Sequence, residues 1–153
     1  MADTSNESAL VDLGMVSLET RPAWRFFPMD DRVIGRPTTG VGVIQIMRVA
    51  DGVVPPHPTH EQCMAAALAA AGYEREHPGS NRAKEFENDC FAGGESFDVG
   101  SDHVRVWYRC CPEGMLAAWY ACPLQRAKER SVIQSMRECD QMVATLRLAP
   151  PVA

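Results

Sequence analysis

No apolar run in this chain approaches the roughly 18 to 20 residues that a membrane-spanning helix needs, so no bilayer span is expected. There is no basic cluster: Arg126, Lys128 and Arg130 are interleaved with Glu129, and the formal net charge is −5. Nucleic acid and anionic lipid repel acidic proteins, so neither is expected as a partner. A secretion leader is missing too, because Met1 to Glu7 is polar and acidic, and a cytoplasmic location is the expectation. Cys-x-x-Cys and His-Glu-x-x-His do not occur, and Gly40-x-Gly42 lacks the third glycine and the helix of a phosphate-cradling loop. With no catalytic signature, the expectation is a protein that is not an enzyme and carries no cofactor.

What is present describes an ordinary globular chain. Its 153 residues are 46% hydrophobic and 23% charged, enough for one core and outside the disordered classes. The reading is one α+β domain over 15–149, preceded by a flexible segment over 1–14. Cys63, Cys90, Cys110, Cys111, Cys122 and Cys139 are even in number. Without a leader, reduced thiols serving as small apolar core residues are expected. In a chain whose leader had been removed, the same residues could pair.

Several segments announce their structure. Val16 and Leu18 alternate with Ser17 and Glu19 as in a half-buried strand; Trp24 to Phe27 and Arg32 to Gly35 are further strand candidates. Gly40 to Val49 carries apolar residues on both faces and should be a covered, central strand. Thr59 and Gln62 have the spacing of a capping box at the start of an alanine-rich helix that Gly72 stops. Tyr73 to Glu87 reads as a charged surface loop. Cys90 to Phe97 is ambiguous, since Gly93-Gly94 weakens any strand.

Val104 to Cys122 reads as a hairpin around Cys111-Pro112-Glu113-Gly114. Val104, Val106, Tyr108 and Cys110 point one way and Arg105, Trp107 and Arg109 the other. In the return arm Leu116, Ala118 and Tyr120 oppose Met115, Ala117 and Trp119. From Gln125 to Leu146, Val132, Met136, Cys139 and Val143 recur at helical spacing, which predicts a closing helix packed on a sheet.

Val16-Ser17-Leu18 with Trp24 beyond, Gly40 to Ile46, Val106-Trp107-Tyr108, Ala118 to Cys122, and Glu138 to Val143 together resemble small bacterial members of the Mog1/PsbP-like superfamily. That resemblance implies a twisted antiparallel β-sheet flanked by helices. It also implies a role as a toxin-neutralising immunity protein or an accessory factor, and it brings no catalytic residues.

Two sets of residues are candidates for recognition. Arg105, Trp107, Arg109 and Trp119 would line one sheet face, with at least one tryptophan in the core; aromatic and arginine side chains anchor many interfaces. The acidic stretch with Glu74, Glu76, Glu85 and Glu87 suits a basic partner such as a cationic toxin or enzyme. The rival reading is a metal-binding or thiol-active protein using His57, His60 and Cys63, which offer imidazole and thiolate donors at an unconvincing spacing. Cys110-Cys111 should point to opposite faces of its strand. A small-ligand carrier would need an apolar cavity between sheet and helix.

Overall fold

The computed structural model describes residues 9–12, 16–38, 40–73, 84–87 and 90–148, with the backbone alone at 9–12, 84–87, 90 and 91. Its strands are β1 (Ala9–Asp12), β2 (Val16–Thr20), β3 (Trp24–Pro28), β4 (Arg32–Pro37), β5 (Val43–Val49), β6 (Lys84–Glu87), β7 (Cys90–Val99), β8 (Asp102–Cys111), β9 (Gly114–Pro123) and β10 (Arg147–Leu148). Helix α1 covers His60–Ala71 and α2 covers Arg130–Val143. The fold is α+β. Seven strands form an antiparallel sheet in the order β3-β4-β5-β9-β8-β7-β6, and β1, β2 and β10 form a small second sheet.

The central position of β5 and β9 follows from their composition, for strands apolar on both faces must be covered on both. One face of the large sheet packs against α2 and β2, burying Leu18, Ile44, Ile46, Leu116, Tyr120, Val132 and Met142. The other packs against α1, burying Met64, Leu68, Val104, Val106, Tyr108 and Ala117. The layers are therefore α1, the sheet, and α2 with the small sheet.

Helix α1 begins as its sequence requires. Gln62 N–H donates to Thr59 Oγ1 at 3.1 Å and Thr59 N–H donates to Gln62 Oε1 at 2.9 Å, closing the capping box. Gly72, at φ 84°, takes the left-handed conformation that ends the helix. Helix α2 is shorter than the periodicity suggests, because Leu124–Arg126 forms a separate 3₁₀ turn.

Residues 9–12 form a strand paired with β2, with Val11 opposite Leu18. The Gly93-Gly94 segment lies within the ten-residue strand β7. Glycine is there for space: a Cβ on Gly93 would stand 2.8 Å from the Tyr108 ring and 2.9 Å from His60 Nδ1. Finally, the thiols are not all reduced. Cys111 is disulfide-bonded, while Cys63, Cys110, Cys122 and Cys139 are free and buried. The register that sets Phe91 opposite Cys110 brings the backbone of Cys90 to the level of Cys111. Among the described residues no helix is long and apolar enough to cross a membrane.

Candidate functional site

The hairpin residues expected at a recognition surface lie inside the molecule. Cys111 pairs with Gly114, which makes Ala118 the cross-strand partner of Trp107 and Val106 that of Trp119. Directly opposed residues share a face, so the two tryptophans are on opposite faces, against expectation. Trp107 is 6% exposed in the core beneath α2, and Trp119 is 3% exposed in the core beneath α1.

Arg105, Trp107 and Arg109 instead hold α2 on the sheet. Arg105 Nε and Trp107 Nε1 both donate to Asp140 Oδ1 at 2.8 Å. Arg105 also donates to Ser96 Oγ at 2.9 Å and stacks over the Trp107 ring. Arg109, 4% exposed, donates to the carbonyls of Val143 and Ala144. The last turn of α2 contains no basic residue. Arg109 thus supplies from the sheet the cation that satisfies the carbonyls and the negative end of the helix dipole.

Glu74 and Glu76 lie outside the described residues, as do the side chains of Glu85 and Glu87 in β6. His57 is exposed in the loop before α1, whereas His60 and Cys63 are buried. His60 Nδ1 is 2.8 Å from Tyr108 Oη, and Cys63 contacts Cys110. The two buried candidates therefore face different partners. Among the described residues no group of three His, Cys, Asp or Glu side chains is placed to hold a metal ion.

An exposed patch lies on β3 and β4. Arg25 and Arg36 are opposed in the ladder, as are Phe27 and Ile34, so these four side chains share a face. The face continues across β4 and β5 through Ile34 and Gln45, then reaches Trp119 on β9. Arg32, on the same side, lies over the Trp119 ring at 5.9 Å, and its Nη1 donates to Gln45 Oε1 at 2.9 Å. Beyond this arginine the helix cover ends. Phe27 is 50% exposed and Met29, in the following turn, 56%. Phe27, Ile34 and Arg36 line a depression of about 320 Å³. Asp31 pairs with Arg32 at 3.0 Å, which holds the Asp31 carboxyl below its usual range through the hydrogen bond. Arg25 and Arg36 have no such carboxylate among the described residues.

A second cavity, of about 530 Å³, lies between the loop after β5 and the β8–β9 turn. Pro55, His57, Cys110, Cys111 and Met115 are among its walls. Sequence reasoning gives Cys63 and Cys110 no joint role. Their contact depends on how α1 seats on β8, which neither segment encodes locally.

No family model matches the chain, and no curated protein matches it. Among solved structures it is similar to a crystal structure from Bacteroides thetaiotaomicron VPI-5482 at 1.50 Å resolution, with 12% sequence identity and a TM-score of 0.47. The match covers 95% of this chain and 49% of the other, so the chain spans about half the length of that protein.

Proposed function

We propose that this chain is a non-enzymatic protein-interaction module that receives an acidic, partly apolar segment of another protein on the bare face of β3 and β4. The observation that carries this reading is the direct opposition of Arg25 and Arg36 on an exposed face beside Phe27 and Ile34. Like charges directly opposed in a sheet are unfavourable, and a carboxylate brought by a partner would relieve them while the partner's apolar side chain fills the depression. Arginine and aromatic residues around a shallow pocket are the usual anchors of a protein interface. The acidic stretch from Glu74 points to a basic partner; the geometry of the described residues supports an acidic one.

The finer fold assignment, to small bacterial Mog1/PsbP-like proteins, belongs to the same proposal, as does a role in the cytoplasm as an immunity or accessory protein acting by occlusion. An antiparallel sheet with helices on both faces supports it. A gene for a toxin-like effector beside this one would favour the immunity role.

Peptide-display selection on the folded chain tests the docking surface. Enriched peptides should combine Asp or Glu with an aromatic or aliphatic residue, and Arg25→Glu with Arg36→Glu should weaken them at least about tenfold, the equivalent of one interfacial ion pair. Enrichment of basic peptides, or equal binding by the variant, would refute the assignment.

A further inference from the structure

We infer that Cys63 and Cys110 are a peroxide-responsive dithiol, in which Cys110 meets the oxidant at the cavity beside the β8–β9 turn and Cys63 then closes a disulfide between α1 and β8. The two residues are on facing elements and belong to one core cluster. Both are free, and their thiols are in hydrogen-bonding contact. Their access differs: Cys63 is fully buried, whereas Cys110 forms part of the cavity wall. One thiol is thus placed to react with solutes, and the other to respond to what forms there.

The surroundings set the order of events. The Cys63 S–H donates to the Cys110 sulfur and so favours the Cys110 thiolate, lowering its pKa to about 7 against the opposing effect of burial. The same contact, together with burial, pushes Cys63 up. Burial raises Tyr108, on the same strand, which stays neutral. His57 and Asp51 line the same cavity on the opposite wall. Cys122 and Cys139 serve as internal controls, because they lie in the other core beneath α2 and burial raises both. Reactivity follows thiolate character and access.

The chemistry balances with a hydroperoxide as the oxidant. The Cys110 thiolate attacks the distal peroxide oxygen: an S–O bond forms, the O–O bond breaks, and the leaving alkoxide or hydroxide takes a proton from water. The Cys63 sulfur then attacks the Cys110 sulfenic acid: the S–S bond forms, the S–O bond breaks, and the hydroxide leaves as water with the Cys63 proton. Two thiols lose two electrons in total, and one peroxide bond is reduced.

Native protein is treated with hydrogen peroxide, then denatured, alkylated without reductant and mapped by mass spectrometry. The expected result is loss of two of the four thiols that are free among the described residues, with the Cys63 and Cys110 peptides linked and released again by dithiothreitol. Cys122 and Cys139 should remain alkylated. In the Cys63→Ala variant, which has no donor at that position, Cys110 should stop at a sulfenic acid that dimedone traps, and its labelling by iodoacetamide at pH 7 should slow about tenfold as the thiol returns toward its ordinary pKa. Free, alkylatable Cys63 and Cys110 after oxidation of the wild-type protein would overturn the inference. So would a Cys110 linkage to any cysteine other than Cys63. The wild-type map decides the matter even where the variant does not fold.

Discussion

One face of the large sheet is finished in two different ways. Over β5, β9 and β8 it is roofed by α1, and Trp119 is 3% exposed; on β3, three strands from Trp119, Phe27 is 50% exposed. Both are large aromatic residues on the same side of the same sheet, yet one is part of the core and the other part of the surface. The difference arises from the length and position of α1, whose twelve residues rest chiefly against β5, β7, β8 and β9. An edge of a sheet left bare in this way must be defended against casual pairing. On the end strand β3, Pro28 and Arg25 do so. An arginine-bearing surface favours an acidic segment over a basic one.

Truncation should separate the two halves most widely. Trp119→Ala removes a buried indole and leaves a cavity under α1, with an expected cost of about 3–5 kcal/mol. Phe27→Ser should change stability by less than about 0.5 kcal/mol, as exposed positions do, while weakening any partner held on β3. Urea unfolding of the two variants checks this; comparable losses would mean that the β3 face is packed in solution. Next in size is Arg109→Met, which leaves the Val143 and Ala144 carbonyls without their cation and should cost roughly 1–3 kcal/mol. Amide exchange should show the loss concentrated in the last turn of α2. Even loss of protection over both helices would show that Arg109 supports the whole core and does not act locally at the helix end.

The covered half is the more legible in sequence, for identifiable reasons. Thr59, Gln62 and Gly72 act on their own neighbours, so the ends of α1 can be read without any tertiary knowledge. The alternation of β8 and β9 is readable by the same local logic, and it holds within each strand. The register between them is not captured by alternation alone. Cys111 facing Gly114 makes each residue of one arm oppose a residue of the other parity, which puts Trp107 and Trp119 on different faces. The length of the turn contains this information. The role of Arg105, Trp107 and Arg109 is not readable, because Asp140 and the carbonyl of Val143 lie more than thirty residues away. The bare face is hidden for the same reason: Arg25, Phe27, Ile34 and Arg36 look like ordinary strand residues until the reach of α1 is known. The sulfur chemistry departs from expectation on a different ground, since the polar start of the chain points to reduced thiols and Cys111 is oxidised.

The smallest effect is the one that tests the bare face most directly. Arg25 and Arg36 stand opposed without an ion-pair partner among the described residues, so each raises the energy of the other. Arg25→Ala should therefore stabilise the free protein by a few tenths of a kcal/mol, within the range of a cross-strand pair. Arg36→Ala should do the same, and the double variant should gain little more than either single one, since the repulsion can be removed only once. Added salt should raise the stability of the wild-type chain relative to the variants, because exposed charges are screened over about 10 Å at 0.1 M. The sign should invert once an acidic ligand is bound: the arginine pair then stabilises the complex, and each alanine variant lowers its melting temperature relative to wild type. Thermal unfolding of the four proteins, with and without a selected acidic peptide and at two salt concentrations, reads all of this together. Additive losses in the free state would mean that the two guanidinium groups stabilise the sheet as packing groups, and the bare face would then be structural.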